Sequence, residues 1–311
     1  MIQLDHLTKR FGHNVAVDDL TLNVSSGCVY GLLGHNGAGK STAIGMMLGQ
    51  VWPTAGSVHI CGHPVPARRS QALFNVGAIF ETPAFYDYLS GLANLEILSS
   101  YTGPASPQRI REVLDWVGLL GRENAKVRTY SHGMRSRLAI AQALLPQPKL
   151  LILDEPSDGL DPEGIHDMRH TILRLNRELG ITILLSSHFL VEVEQLCSRI
   201  AVLKRGKLVY EGPITSAGQP RSLLRLKVSD FQAAVRLLTG ANLISQSHDH
   251  DRVSLNPGIE SKEVARILLA NNFDVHEMAY ERQTLEDFYL QLMDKNDSIE
   301  RQATPAVLKQ S

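Results

Sequence analysis

Apolar and polar residues alternate through the first part of the chain, and the alternation predicts strands. "IQLDHLT", "LTLNV" and "SVHICG" carry apolar residues near every second position, while "CVYGLLG" and "VGAIF" are apolar with little interruption. Residues 1–80 therefore read as short strands joined by turns. From 84 to 145 the spacing becomes that of helices and no strand pattern remains, as an inserted helical subdomain would show. Within it Met134, Leu138, Ala141 and Leu145 form one apolar stripe behind Ser131, a good N-cap. Two buried-strand runs follow, Leu150–Leu153 and Ile181–Ser186, with a helical pattern from about Pro162 to Leu179 between them. "SRIAVLKRGKLVYEG" predicts a hairpin turning at Arg205–Gly206. Strands and helices alternating in this way predict an α/β core with a parallel sheet.

Gly212–Pro220 is a turn or linker signal, and a compact series begins after it. "SLLRLKV", "DFQAAVRLLTG", "NLISQS", "RVSLN", "SKEVARILLANN" and "FDVHEMA" read in the order βαββαβ, which suggests a small ferredoxin-like α+β domain over 219–294. A last helix, "TLEDFYLQLMD", closes it. Residues 295–311 are polar and are expected to be a disordered tail.

Composition narrows the class. Of 311 residues 43% are hydrophobic and 20% charged, an ordinary globular mixture. The formal net charge of −1 supplies no general basic field, so nucleic acid is not expected as a partner and any anion site must be local. The cysteines Cys28, Cys61 and Cys197 are far apart with no Cys-x-x-Cys pair, which fits a reducing compartment and neither a disulfide scaffold nor a zinc site. No apolar run approaches the ~18–20 residues that span a bilayer, and "MIQLDHLTKRFG" lacks the apolar core of a secretory signal.

The chemistry begins at "YGLLGHNGAGKST". Gly34, His35, Asn36, Gly37, Ala38, Gly39, Lys40, Ser41 and Thr42 form G-x-x-x-x-G-K-S between an apolar strand and a helical pattern. Glycines let backbone N–H groups wrap a phosphate, Lys40 brings a point charge to the β- and γ-phosphates, and the Ser41 hydroxyl can ligate Mg²⁺. In "KLLILDEPSDGLDP" the buried run ends at Asp154, placed to hold Mg²⁺, and Glu155 follows, able to take a proton from an attacking water. "ITILLSSH" ends at His188, a donor to the γ-phosphate or a link between water and Glu155, or a structural histidine. In "YSHGMRSR", Ser131, Gly133 and nearby arginines at a helix start make a seat for an anion.

Taken in chain order, the P-loop, "YSHGM", "LLILDEP", "GLDP" and His188 resemble the motifs of the ABC-transporter ATPase over about residues 1–216. The resemblance implies a P-loop NTPase fold of ABC type that binds ATP and Mg²⁺ and hydrolyses ATP. It implies that two chains, as a homodimer, sandwich two nucleotides head to tail. Ser131 and Gly133 would then act on the partner's γ-phosphate, and Asp161 of "GLDP" would link the two sites. "KRFGHNVAV" resembles the adenine-stacking loop, with Phe11 as the ring and Ala16 or Val17 near the ribose; an ordinary core role for Phe11 is the alternative.

The chain departs from the family at several positions. His132 replaces a glycine of the "LSGGQ" signature and Met134 its glutamine, while Ser131 and Gly133 remain. Glu81, in "VGAIFETPAFYDYLSGLANLEIL", stands where the family has a glutamine; its carboxylate could face Mg²⁺ or the attacking water.

Without a span of its own, a chain of this family works on a separate membrane permease. The resemblance implies a cytoplasmic subunit peripheral to the inner face of the cell membrane. The permease would dock beside Glu81, where Phe85, Tyr86 and Tyr88 are either contacts or subdomain core. "SSHFLVEVEQLC" and "TLEDFYLQL" look like exporter ATPases of the bacitracin- and lantibiotic-resistance or multidrug type. A soluble ABC ATPase not coupled to transport is the alternative, though such proteins usually carry two cassettes or long coiled coils. "HDMRH" at 166–170 and "SHDHD" at 247–251 are weaker metal patterns, read as a helix surface and a hairpin turn.

Overall fold

The computed structural model describes residues 1–81, 83–101, 103–214, 223–248, 251–281, 284–290 and 292–293. The chain divides into two compact units, Met1–Ile214 and Thr215–Ser311.

In the first unit the strands fall into two sheets with different physics. β1 (Ile2–Phe11), β2 (Asn14–Val24), β4 (Ala55–Ile60) and β5 (His63–Val65) make an antiparallel sheet in the order β2-β1-β4-β5. β1 and β2 alternate buried and exposed residues over much of their length, as expected of an antiparallel sheet wetted on one face. β5 is too short to leave a periodic trace, and β2 starts well before the alternation of "LTLNV".

The second sheet runs β10-β9-β3-β8-β7-β6. Its members are β3 (Val29–Leu33), β6 (Val76–Ile79), β7 (Leu150–Leu153), β8 (Thr182–Ser187), β9 (Arg199–Lys204) and β10 (Lys207–Pro213). All pairs are parallel except the β9–β10 hairpin. β3, β7 and β8 are buried at every residue, because both faces of the sheet are covered. β8 stops at Ser187, one residue short of His188, where the Phe189 amide donates to Ser187 Oγ at 2.9 Å and turns the chain.

α1 (Lys40–Met47) lies between the two sheets. Ala43, Ile44, Gly45, Met46 and Met47 are all buried, so it has no polar face, the mark of a helix inside a core. Leu4, Leu22, Val58, Leu32, Ile152 and Leu184 share one apolar cluster with it.

α2 (Arg69–Leu73) precedes β6. Between β6 and β7 come α3 (Gly91–Ser99), α4 (Pro107–Trp116), a 3₁₀ turn at Val127–Thr129 and α5 (His132–Leu144). Ser90, Ser106 and Ser131 accept from the amides of Ala93, Arg109 and Met134 and so cap α3, α4 and α5. α6 (Pro162–Leu179) begins at the cap Asp161 and ends at Gly180; α7 (Leu190–Leu196) follows β8.

The second unit contains β11 (Leu223–Val228), α8 (Phe231–Gly240), β12 (Ile244–His248), β13 (Arg252–Leu255), α9 (Ser261–Ala270) and β14 (Val275–Glu281). The sheet order β12-β13-β11-β14, antiparallel throughout, is that of a ferredoxin-like unit. Leu224, Leu226, Leu238, Val253, Val264 and Leu268 form its core. A helical segment at 285–290 follows. The expected tail at 295–311, most of the linker at 215–222 and the centre of "SHDHD" lie outside the described residues.

Leu184 sits in the central strand with no solvent exposure. Leu184→Ala should cost the first unit about 2–5 kcal/mol. Both tryptophans, Trp52 and Trp116, lie in that unit, so chemical denaturation followed by tryptophan fluorescence reads this loss directly.

Candidate functional site

Parallel pairing sets the site. Ile79 pairs with Leu153, Leu153 with Leu185, and Leu33 with Ser187, so β6, β7, β8 and β3 end on the same rim. The segments leaving those ends carry Glu81, Asp154 and Glu155, His188, and the loop from Gly34 to Thr42. Open α/β sheets bind ligands at this edge.

The loop after β3 is held from behind. The Ala38 carbonyl accepts from Gly206 N at 2.9 Å, and the Gly206 carbonyl accepts from Asp18 N at 2.9 Å. Gly39 has φ +104°, and a Cβ there would lie 2.4 Å from the Ala16 carbonyl oxygen, so no other residue fits this crossing. Gly39 is also the N-cap of α1 and offers no side chain to its first turn, leaving the N–H groups there to a ligand. The loop opens onto a cavity of about 700 Å³ lined by Phe11, Val15, Ala16, His35–Thr42, Glu155 and Arg205, a volume typical of small-ligand sites. Phe11 is 52% exposed, with Lys9 Nζ 4.7 Å from its ring centre. That rules out a core role and leaves a flat apolar face at the cavity mouth.

Lys40 is 5% exposed and its ammonium is fully engaged. It donates to the Gly34 carbonyl at 2.6 Å and lies 3.1 Å from Glu155 Oε1. The other oxygen of Glu155, Oε2, meets His188 Nδ1. Glu155 therefore bridges the loop lysine and the histidine after β8. Its backbone has φ +48°, a sparsely populated conformation for a residue with a Cβ.

Ser186 holds that conformation. Its hydroxyl accepts from the Glu155 amide at 2.9 Å and donates to Asp154 Oδ1 at 2.5 Å, from a fully buried position. One serine thus orients both acids. It falls in the apolar run "ITILLSS", and only its small polar side chain at the end of a buried strand hinted at this.

A second cavity, of about 620 Å³, is lined by Glu81, Asp154, Glu155, His132, Arg135, Asp158 and Gly159 among others, with Glu155 the wall shared with the first. Glu81 has φ +62°. Ser41 lines the first cavity and the acids Asp154 and Glu81 line the second; oxygen donors of these kinds are the chemistry a hard divalent cation takes. Ser131 and Asp161 are exposed, and they and Gly133 do not line either cavity. The Ser131 hydroxyl caps α5 through Met134 N at 3.2 Å, and Asp161 caps α6 through Gly164 N at 2.9 Å. Arg135 and Arg137 are paired with Asp87 (2.8 Å) and Asp167 (3.7 Å).

Glu192 on α7 was not visible as a site residue. It is buried, with Oε1 lacking a hydrogen-bond partner among the described residues. Burial raises its carboxyl above the ordinary range, against the pull of the Ser157 hydroxyl and the charge of Arg169.

Residues 17–158 match the family model described as ABC transporter. The chain is 39% identical over 298 residues to the bacitracin transport ATP-binding protein BcrA of Bacillus licheniformis, covering 94% of this chain and 97% of the relative. It is 40% identical over 218 residues to the Nod factor export ATP-binding protein I of Cupriavidus metallidurans, covering 68% of this chain and 71% of the relative. The dimeric post-hydrolysis structure of the ATP-binding cassette MJ0796 bound to ADP and Pi superposes with a TM-score of 0.62 at 26% identity, covering 69% of this chain and 99% of that one. The chain belongs to the ATP-binding proteins of ABC transporters.

Ser186→Ala should leave the Glu155 amide unpaired, a loss of about 1–3 kcal/mol. Expressed in the transition state, that is a fall of about 5- to 150-fold in ATP turnover with nucleotide binding retained, measured by phosphate release and nucleotide titration. Glu192→Gln tests the buried acid. A carboxyl whose folded pKa is raised penalises the fold at pH above that value, and the penalty fades as pH falls toward the ordinary carboxylate pKa. The variant should therefore melt higher than the parent at neutral and alkaline pH, with the gap closing toward acid.

Proposed function

We propose that this chain is the ATP-hydrolysing subunit of a membrane exporter and that it works as a head-to-tail homodimer enclosing two ATP molecules. The observation that carries the proposal is Glu155, whose carboxylate lies 3.1 Å from Lys40 Nζ and against His188 Nδ1, on the wall of the P-loop cavity.

Each residue has a role in this reading. The Phe11 ring stacks on adenine at the cavity mouth, and Ala16 lies under the ribose. The amides from His35 to Thr42 and the Lys40 ammonium bind the phosphates, with Gly34, Gly37 and Gly39 shaping the loop. Ser41, Asp154 and Glu81 would hold Mg²⁺, which when bound would neutralise charge on the phosphate oxygens. Glu155 accepts the proton of the attacking water, and the imidazole of His188 keeps its carboxylate aimed. Ser131 and Gly133 line neither cavity of their own chain, which suits a seat offered to the γ-phosphate in the partner. Asp161, exposed at the start of α6, meets the opposing subunit.

Coupling to transport rests on the relatives. Two of them are named for bacitracin transport and Nod factor export. No helix among the described residues is long and apolar enough to cross a membrane, so a separate permease would form the channel and this subunit would sit against it from the cytoplasm. Tyr86 and Tyr88 are 40% and 66% exposed, which favours contact with that permease over a core role. Phe85 is half-buried.

Glu155→Gln should keep ATP binding, lower hydrolysis by about 100- to 10,000-fold and trap an ATP-dependent dimer visible by light scattering. Turnover at the parental rate would overturn the assignment. Ser131→Arg should abolish that dimer and leave ATP binding to the monomer intact.

A further inference from the structure

The seat that this chain would offer its partner is tied to its own catalytic acid by a short run of hydrogen bonds, and His132 closes the run. His132 Nε2 lies 3.2 Å from the Asp158 carbonyl oxygen. A carbonyl only accepts, so the ring carries its proton at Nε2 and donates. The Asp158 amide in turn donates to the Glu155 carbonyl at 3.1 Å. The path therefore leads from the backbone of Glu155, through Asp158, to the first residue of α5, flanked by Ser131 and Gly133.

Packing reinforces the bond. Gly159 has φ +71°, and a Cβ placed there would stand 3.3 Å from His132 Nε2 and 3.7 Å from Cδ2. The imidazole thus lies against the loop between Glu155 and Asp161, where glycine leaves room for it. Gly133 approaches the same region, since a Cβ on it would lie 3.7 Å from the Gly164 Cα at the start of α6. His132 also lines the cavity shared with Asp154, Glu155 and Glu81. A glycine at 132, the residue of the "LSGGQ" signature, has no side chain with which to make this bond.

We infer that His132 is a positioning residue that couples the two ATP sites, transmitting the conformation of the Glu155–Asp161 loop in one site to the γ-phosphate seat presented to the other. The inference rests on the head-to-tail dimer proposed above. Opening of the loop after hydrolysis in one site draws on His132 and tilts the Ser131–Gly133 turn away from the second nucleotide. ATP binding in one site sets the loop and so builds the seat for the other, and the seat reports on the state of the first site.

Two full-length variants test it. His132→Phe keeps a ring over Gly159 and removes the donor; His132→Gln replaces the ring with an amide whose nitrogen reaches about as far as Nε2. Steady-state ATPase kinetics, nucleotide affinity of dilute monomer, and ATP-driven dimerisation in the Glu155→Gln background are the readouts. For His132→Phe we expect kcat to fall about fivefold to tenfold, the value of one lost hydrogen bond, with a Hill slope reduced toward one. Monomer affinity should stay within about twofold, and His132→Gln should recover most of kcat and of the slope. Unchanged kcat and slope in His132→Phe overturn the inference and leave the dimer standing. Weakened nucleotide binding by the monomer overturns it as well, because the residue would then act in its own site. A loss that His132→Gln does not recover shows that the ring and not the bond matters, which is again a refutation. If Glu155→Gln alone forms no dimer with ATP, the reading that fails is the one under the proposed function.

Discussion

Parallel hydrogen bonding among β6, β7, β8 and β3 is the constraint from which the site follows. Parallel neighbours point their C-terminal ends the same way, so four segments that leave those strands must share one rim. β3, β7 and β8 are buried on every residue, which fixes their register through packing as well as hydrogen bonds. An acid carried by β7 and a histidine carried by β8 are thereby brought together although 33 positions separate them.

The electrostatics of that rim depend on burial. Lys40 is almost wholly removed from water, and an isolated ammonium there would be costly. Its environment compensates with the carbonyls of Gly34 and His35 and the carboxylate of Glu155. Glu155 is in turn shared between Lys40 and His188, and Ser186 clamps its backbone in the left-handed region. A strained acid held by three separate side chains has little freedom to drift, which suits the proton-accepting role proposed for it. Glu192, buried on α7, adds a carboxyl to the same neighbourhood, where the Ser157 hydroxyl and the charges of Arg169 and His188 offset only part of the cost of its burial.

The C-terminal unit shows the same economy at smaller scale. Leu224 and Leu226 face one core while Arg225 and Lys227 face away, where Glu277 meets them at 3.8 Å and 2.6 Å. That strict alternation is why its six elements could be read in order from the chain.

Much of the architecture is local and therefore legible in the chain. Ser131 and Asp161 cap helices because a short polar side chain before an apolar period satisfies free amides, and α6 spans the residues that its period and its proline and glycine ends mark out. The G-x-x-x-x-G-K-S loop, the acids after "LLIL" and the histidine after "LLSS" were likewise visible, since each is a residue type required at a strand end. The split of the N-terminal strands into two sheets was not visible, and neither were β5, the serine that orients both acids, the buried Glu192, or the contact of His132 with Asp158. All of these depend on which distant segments become neighbours. Leu33 pairs with Ser187, and Asp18 bonds to Gly206, through interactions that no local window contains. The chain by itself determined which groups of chemistry are present and on what kind of element each sits, because propensity and periodicity act over a few residues. The tertiary structure alone decided which of those groups touch, because strand order and close packing are set by the whole core at once.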